Sequence, residues 1–427
     1  MEVLRHCFPS SVGRILEELP ESLDETYERI LRGIRKPNQG HAHRLLQCLV
    51  AAVRPLQVKE LAEVLAFDFT TEGIPTLDRG WRWEDQEEAV MSACSSLVMI
   101  VQDGDSRVVQ FSHFSVKEFL TADRLAESTR DVSCYHIRLE AAHTILVRAC
   151  LGVLLQMDDR IDFDSIKSFP LARYAAQYWT THARIENVSS RIKDGMECLF
   201  DADKPHFATW LWIYNGDRLR SMSTMCPEKP EAVPLYYAAR FGFRDLAEHF
   251  IAKHPAHVHA RGGSEITPIH VAASEGHCDI LSLLIEHGAA VNNCQGEHGY
   301  TPLLRASRNG RLEAGQFLLD RGANIDARSR SNLTALTCAA MDGHVELARM
   351  LLERGAKIDT RNDFDYTPLH LAALYDQKQI VQLFLEHGAD VNARTESGYT
   401  TSEIASRNGY HEMVELLSAY VAKSVKQ

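Results

Sequence analysis

The densest group of potential metal ligands in the sequence is a run of four histidines, His249, His254, His257 and His259. Imidazole nitrogens bind zinc, but zinc sites place their histidines and cysteines at characteristic spacings. The spacing here matches none of those patterns, and no cysteine lies close enough in sequence to complete the set. We therefore interpret these histidines as surface or interhelical residues and predict no metal site.

Carboxylates and nucleophiles give no stronger signal. Asp158, Asp159, Asp162 and Asp164 could suggest calcium, but the segment lacks the central glycine and terminal glutamate of an EF-hand loop, so we predict a solvated turn. No Ser, His and Asp can be assigned to a catalytic triad. The chain contains no Gly-Lys pair, which a phosphate-binding loop needs. We predict a protein that is not an enzyme and uses no cofactor.

Composition narrows the class of partner. The 427 residues, enough for two or three domains, include 46 basic and 58 acidic side chains, a net charge of −12. This charge argues against nucleic acid or an anionic membrane as partner. The 10 cysteines form no Cys-x-x-Cys motif and indicate reduced thiols. The apolar run from Ile145 to Leu155 is too short to span a bilayer. We expect a soluble, cytoplasmic protein.

A six-residue phrase returns at a fixed distance through the second half of the chain. Its copies begin at residues 233, 267, 301, 334, 367 and 400, which are 34, 34, 33, 33 and 33 residues apart. A second phrase recurs in step with it and contains Gly288, Gly322, Gly355 and Gly388. This period is that of a helix-helix-hairpin unit. The pattern predicts a solenoid of about six units.

The residue types suit the helix boundaries. Pro268, Pro302 and Pro368 occupy the first turn of the first helix of their units, where a missing N–H costs nothing, and the threonine before each proline is the cap. The glycines of the second phrase end the second helix in the left-handed conformation. Asp376 replaces glycine between two helices, which is tolerable because Asp visits that conformation. Both phrases match the ankyrin repeat, whose units bury their apolar faces by stacking.

The first third of the chain predicts helices followed by a β-hairpin. An amphipathic pattern from Val12 to Ile34 is divided by Pro20, and Ser22 is a helix start. Further on, Asp103-Gly104 is a hairpin signal between two β-branched segments. Three helices before a hairpin describe a winged helix. The predicted elements are helices at 43–53, from 55 onward and at 84–96, and strands at 98–101 and 108–111.

Many winged helices bind DNA through the third helix. Here that helix carries Glu84, Asp85, Glu87 and Glu88, with no Lys or Arg before Ser96. A duplex requires neutralisation of its phosphates at the contact surface. The acidic helix would repel it, so we predict no nucleic-acid partner, and a transcriptional regulator is the least favoured function.

A family resemblance covers nearly the whole chain. The segments 19–31, 54–61 and 111–120 resemble the region that follows the NACHT nucleotide-binding domain in fungal STAND proteins, which are signal-transducing NTPases. The segments 170–179 and 203–214 are similar to the helical connector of those proteins, which commonly end in ankyrin or WD repeats. The chain departs from the family because it lacks the NACHT phosphate loop.

The resemblance implies one chemical role. In STAND proteins a winged-helix histidine between the last strand and the next helix contacts the phosphate of the bound nucleotide, and His113 corresponds to that position. The structural alternative is that Ser115 and Glu118 form a capping box for a helix from Val116 to Leu125, with His113 packed at its entrance. We favour the packing role and keep His113 as a possible vestigial nucleotide sensor.

The predicted fold class is mainly α: a winged helix with a small β-hairpin, a helical connector and a C-terminal ankyrin solenoid. Trp210, Trp212 and Tyr214 are expected in the core of the connector, and a hinge is expected near 221–234, which holds three prolines. The predicted domains are N-terminal helices at 1–40, a winged helix at 41–127, a helical connector at 128–231 and ankyrin repeats at 232–427.

We predict that a protein partner binds to the ankyrin hairpin tips and to the exposed ends of the first helices. Aromatic and Arg side chains carry interface energy most often. The predicted tip residues are His298, Tyr300, Arg328, Arg330, Phe364, Tyr366 and Tyr399, and the helix residues are Arg308, Met341, Tyr375 and Arg407. The function these features favour is a non-enzymatic scaffold or adaptor. The alternative is a regulatory NACHT-less paralogue or fragment that pairs with full-length STAND NTPases through His113.

Overall fold

The computed structural model describes residues 22–71, 73–158, 161–216 and 232–424. The predicted helix before Pro20 and most of the predicted hinge lie outside these ranges. The chain forms two compact units, Met1–Pro230 and Glu231–Gln427. Each is described by itself.

The first unit begins with a capped amphipathic helix and the helices of the winged helix. Ser22 caps the first helix by accepting a hydrogen bond from the amide of Glu25 at 3.2 Å, as its sequence predicts. The helices and short strands up to the hairpin are α1 (Leu23–Gly33), α2 (Gln39–Ala51), β1 (Leu56–Gln57), α3 (Val58–Glu63), β2 (Phe67–Asp68), β3 (Thr76–Leu77) and α4 (Gln86–Cys94).

The hairpin consists of β4 (Val98–Asp103) and β5 (Ser106–Phe111), and β1 pairs with the other edge of β5. This pairing changes one predicted boundary, because Leu56 lies opposite Val109 in the sheet and the second helix therefore starts at Val58. The turn residues are Gly104 and Asp105, and only Gly104 has positive φ, +56°. That pattern is typical of a type II′ turn led by glycine.

The connector is a helical assembly with an aromatic core. Its longest helix has a buried apolar face, and Trp179 packs edge-on against Trp210 with ring centroids 5.2 Å apart. Trp210 and Trp212 are buried and Tyr214 is half-buried. The helices that follow the hairpin are α5 (Phe114–Thr121), α6 (Asp123–Ala126), α7 (Arg130–Ser133), α8 (Leu139–Leu154), α9 (Phe163–Ile166), α10 (Ala172–Ala183), α11 (Val188–Arg191), α12 (Lys193–Leu199) and α13 (Pro205–Gly216).

The second unit is a row of six helix pairs. The first helix of each pair contacts the first helix of the next, and the second helices do the same. The pairs are α14 (Pro234–Phe241) and α15 (Arg244–Lys253), α16 (Pro268–Glu275) and α17 (Cys278–Glu286), α18 (Pro302–Arg308) and α19 (Leu312–Asp320), α20 (Ala335–Asp342) and α21 (Val345–Glu353), α22 (Pro368–Leu374) and α23 (Lys378–Glu386), and α24 (Thr401–Arg407) and α25 (His411–Ser424).

The helix boundaries follow the predicted signals. Thr301, Thr334, Thr367 and Thr400 each accept a hydrogen bond from an amide in the first turn of their helix. The glycines that end the second helices have φ between +82° and +91°, and Asp376 has φ +56°. In the first repeat, the corner that contains Pro255 is rebuilt as a 3₁₀ helix, Pro255–His259.

Side chains also link each repeat to the one before it. His277, Arg311, His344 and Gln377, one in each of four successive turns between paired helices, donate hydrogen bonds to carbonyls at the end of the preceding first helix. The donor–acceptor distances range from 3.1 Å at Arg311 to 3.4 Å at Gln377. We call this set the turn ladder.

Candidate functional site

The predicted face lies on the hairpins and at the ends of the first helices, and most of its side chains reach solvent. Phe364 is 63% exposed on a hairpin tip, and Tyr375, which caps the C-terminus of α22, is 48% exposed. The two residues therefore flank the same helix. The remaining exposed members are His298, Arg308, Arg328, Arg330 and Arg407, and the half-buried ones are Met341, Tyr366 and Tyr399.

Tyr300 does not form part of the exposed surface. Only 3% of it is accessible, and its ring packs with Leu304 and Cys338 in the core between two repeats. The Tyr300 hydroxyl accepts a hydrogen bond from Nη1 of Arg308 at 2.9 Å. The expectation that Tyr300 presents its ring to a partner is thus corrected, because the ring is buried and its hydroxyl binds Arg308.

The arginines on the hairpins form hydrogen bonds to the backbone of neighbouring repeats. Nη1 of Arg328 donates to the carbonyl of Arg361 at 3.0 Å, and Arg361 repeats the contact with Arg394 at 2.8 Å. Arg330 reaches back to the carbonyl of Glu297 at 2.9 Å. Each guanidinium has five N–H donors, so one hydrogen bond to the chain leaves others for a partner.

Two half-buried tyrosines pack against neighbours on the same face. The guanidinium of Arg407 lies over the Tyr399 ring, with its carbon 4.4 Å from the ring centroid, within the range of a cation–π contact. The Tyr366 ring meets the imidazole of His370 edge-on, with centroids 5.9 Å apart. These contacts hold both rings in place, which reduces the entropy that a partner must remove on binding.

His270 and His370 lie beneath the face and are structural. Each ring accepts at Nδ1 from the threonine hydroxyl three residues earlier at 2.8 Å, and donates from Nε2 to a carbonyl of the following hairpin. Burial lowers the pKa of His270 to about 4 and lowers that of His370. Each of these histidines thus joins the start of its helix to the following hairpin.

His113 is the N-cap of α5. Its Nδ1 accepts from the amide of Ser115 at 3.3 Å and lies 2.6 Å from the Ser115 hydroxyl, which is itself 2.7 Å from the hydroxyl of Tyr27. The predicted capping box of Ser115 and Glu118 is therefore corrected. The helix starts two residues earlier than predicted, because the imidazole, not the serine, satisfies the first-turn amide.

The third helix of the winged helix presents acid to solvent. Glu84, Asp85 and Glu87 line a cleft of about 720 Å³ together with Asp105, and Glu87 forms an ion pair with Arg107. The carboxylate of Asp85 caps α4 by accepting from the amides of Glu87 and Glu88 at 3.0 and 2.9 Å. This surface is the reverse of the basic footprint that a DNA-reading helix carries.

Arg305 was missed by the sequence reasoning, although a signal for it existed. It occupies the fifth position of the repeated phrase, where each of the other copies has an apolar residue or tyrosine. Its guanidinium carbon is 5.1 Å from the centroid of the Tyr300 ring, and its Nε is shielded from solvent without a hydrogen-bond partner. Aligning the six phrases by position would have identified it.

Comparison with known proteins agrees with this architecture. Residues 235–329 and 336–427 match the family described as ankyrin repeats, and residues 27–130 match the winged helix domain of GPI inositol-deacylase. The azaphilone pigments biosynthesis cluster protein L of Monascus ruber is 33% identical over 250 residues, which are 56% of this chain and 52% of the relative. The chain spans about half the length of that relative.

Within the ranges that the structure describes, no helix is long and apolar enough to cross a bilayer. The predicted winged helix and ankyrin repeats are both confirmed by the family matches and by the observed elements. The chain carries ankyrin repeats that follow a winged-helix domain of the GPI inositol-deacylase type.

Proposed function

We propose that the chain is a non-enzymatic scaffold or adaptor that binds a protein partner through its ankyrin hairpin tips and the ends of its first helices. Ankyrin repeats support a protein-interaction role. The observation that carries the finer proposal is the pair Phe364 and Tyr375, two large aromatic side chains left in solvent on either side of α22. Residues of this type dominate binding energy where a partner can desolvate them.

The surroundings of the pair suit an interface. Arg361 and Arg394 lie on the same row of hairpins as Phe364, and Arg407 lies at the end of the next first helix; all three are exposed. The hairpin backbone is held across repeats, because the amide of Glu396 donates to the carbonyl of Phe364 at 3.3 Å. A rigid aromatic centre with a polar rim is the usual anatomy of a protein interface.

Replacing both aromatic residues tests the proposal. We expect Phe364→Ala with Tyr375→Ala to lose most of the proteins that the wild-type chain captures from its native cells, measured by affinity purification and quantitative mass spectrometry. Because both side chains are exposed, the melting temperature should stay within about 2 °C of wild type.

The matched control is Phe114→Ala, which removes a phenylalanine that is 71% exposed on the winged helix. Its captured proteins should equal those of the wild-type chain. Unchanged capture by the double variant, or equal loss in the control, would refute the assignment of the binding face.

A second candidate function rests on the winged-helix match and on His113. The imidazole is exposed, and its Nδ1 is engaged by Ser115. In this alternative the chain pairs with a NACHT-type NTPase and tunes its nucleotide state. Nucleotide binding by such a partner, measured with and without this chain, separates the two functions, since a pure scaffold leaves that affinity unchanged.

We also propose that the chain works in the cytoplasm. Each of the eight cysteines in the described ranges is a free thiol, and burial raises the pKa of Cys48, Cys94 and Cys338 to about 12. Such thiols are protonated and unreactive at neutral pH, as expected of apolar core residues in a reducing compartment.

A further inference from the structure

One row of side chains in the ankyrin unit is apolar in every repeat but one. The fifth residue of the repeated phrase lies in the first helix of its repeat, and five of the six copies are at most 5% exposed there. Arg305 occupies the same position in the third repeat. The apolar or aromatic members are Tyr237, Val271, Cys338, Leu371 and Ile404.

The Arg305 guanidinium has no anionic partner within the described residues. No carboxylate pairs with it, its Nε is shielded from solvent without a hydrogen bond, and the nearest aromatic face is that of Tyr300. A second guanidinium, that of Arg308, donates a hydrogen bond to the hydroxyl of the same phenol at 2.9 Å. Among the described residues, Arg308 forms an ion pair with Asp342, whose carboxylate is 3.9 Å from Nε.

This arrangement is unfavourable for the isolated chain. Removing a cation from water without pairing it is costly, and a cation–π contact recovers only part of the loss. Burial lowers the pKa of Arg305, the phenols of Tyr300 and Tyr236 oppose that effect, and Arg308 adds to it. An arginine nevertheless stays protonated, so this half-buried charge remains, with no counter-ion among the described residues.

We infer that Arg305, with Arg308 beside it, receives a carboxylate from an acidic segment of the partner protein. The inference rests on the proposed function and names the chemistry of the partner. A guanidinium presents paired N–H donors that match both oxygens of an Asp or Glu side chain. The partner would supply the missing charge, and the apolar row around Arg305 would strengthen the contact by excluding water.

A polyanion fits the same site less well. The chain carries a net charge of −12, which repels a nucleic acid at long range. Glu297 is exposed on the hairpin that leads to α18, and Asp342 lies beside Arg308. One or two carboxylates on an otherwise apolar peptide meet less repulsion from these acids than a continuous phosphate backbone does.

The test uses the full chain, its Arg305→Leu variant and a control variant, Arg349→Leu. Leucine restores the apolar row, and Arg349 is an exposed arginine on the outer helix α21, so both variants lose one charge. Each protein selects binders from a library of phage-displayed random peptides. We expect at least about a twofold enrichment of Asp and Glu on the wild-type and control proteins. The Arg305→Leu protein should show none.

Stability provides a second readout that a purely structural arginine would not share. We expect Arg305→Leu to melt at or above the wild-type temperature, because an uncompensated cation is replaced by an apolar residue. A lower melting temperature with unchanged peptide selection would show that Arg305 only stabilises the fold, and would overturn the inference.

The remaining outcomes also decide. Selected peptides without acidic enrichment, which bind the wild-type chain and are lost on changing Phe364 and Tyr375, would overturn the role of Arg305 and keep the proposed function. Failure to select any peptide would overturn both. Binding of a labelled single-stranded oligonucleotide in place of acidic peptides would overturn the choice of ligand.

Discussion

At the scale of single residues, one backbone amide sets the direction of a buried hydrogen-bond chain in the first unit. The amide of Val53 donates to the Tyr174 hydroxyl at 3.1 Å, so the phenol proton is left for Nε2 of His182 at 2.9 Å. His182 must then donate from Nδ1 to Nδ1 of His143, also at 2.9 Å. Both imidazoles are therefore neutral in the folded chain.

The hydrogen bonds among Tyr174, His182 and His143 predict that the folded protein loses stability in acid. Burial and the neighbouring His143 lower the pKa of His182 from 6.5 to about 3, and burial with nearby Lys117 lowers that of His143. Between the pKa values of 6.5 and about 3, His182 binds a proton in the unfolded chain but not in the folded chain. The unfolding free energy of the first unit should be unaffected by His182 above pH 6.5. Below that it should fall by about 1.4 kcal/mol per pH unit.

Tryptophan fluorescence during urea unfolding measures this effect, because all 5 tryptophans lie between residues 81 and 212. Carboxylates also titrate in this range, so the informative quantity is the difference between the wild-type chain and His182→Gln. The unfolding free energy of the wild-type chain minus that of the variant should fall steadily as the pH drops below 6.5. A constant difference from neutral pH downward would show that the imidazole is protonated or exposed in the folded chain.

At the scale of elements, each donor of the turn ladder packs on the glycine in the turn of the preceding repeat. These glycines are Gly242, Gly276, Gly310 and Gly343. A Cβ at Gly343 would lie 2.4 Å from Oε1 of Gln377, the side chain that bonds to the preceding repeat. At Gly388, which ends an outer helix, a Cβ would meet no heavy atom within 4 Å. The two glycines have φ of +79° and +82°, so they share the same backbone requirement.

Substitutions at Gly388 and Gly343 distinguish the cost of the left-handed backbone from the cost of disturbing the turn ladder. We expect Gly388→Ala to destabilise the ankyrin unit by about 1 kcal/mol, the cost of a left-handed alanine. Gly343→Ala should cost about 0.5–1.5 kcal/mol more, because it also displaces the Gln377 amide and breaks its hydrogen bond to the preceding repeat. Urea unfolding followed by circular dichroism measures both. Equal losses would mean that the ladder contributes nothing beyond the turn conformation.

The same scale shows what the sequence could predict. Thr–Pro starts and glycine stops are local signals that act within one turn of helix, so the repeat boundaries were predictable to within a residue or two. The burial of Tyr300 could not be predicted, because it depends on packing against Leu304 and against Cys338 of the next repeat. The cap at His113 was missed for a similar reason: Ser115 is engaged by Tyr27, which is distant in the sequence.

Arg305 shows the limit for the candidate site. Its unusual position in the phrase can be seen in the sequence. Which side chains of the neighbouring repeats pack around its guanidinium, and that no carboxylate is among the described ones, is known only from the structure. The sequence does predict which hairpin positions carry aromatic residues. Their different exposures, 63% for Phe364 against 3% for Tyr300, follow from packing between repeats.

At the scale of the whole molecule, the two units carry different surfaces. The winged helix presents the acidic helix α4, and the ankyrin unit presents arginines and aromatic rings along its hairpins. A solenoid gains stability from contacts between neighbouring repeats, so its side chains on the hairpin edge are free to vary for binding. The central claim is that this edge, and not the winged helix, contacts the partner.

Photo-cross-linking tests that claim most directly. A benzophenone-bearing phenylalanine analogue replaces Phe364, Tyr375 or, as the control, Phe114, and the full chain is irradiated in its native cells. The account predicts cross-linked partner protein from positions 364 and 375 and none from position 114. Cross-links from position 114 alone, or from none of the three positions, would contradict it.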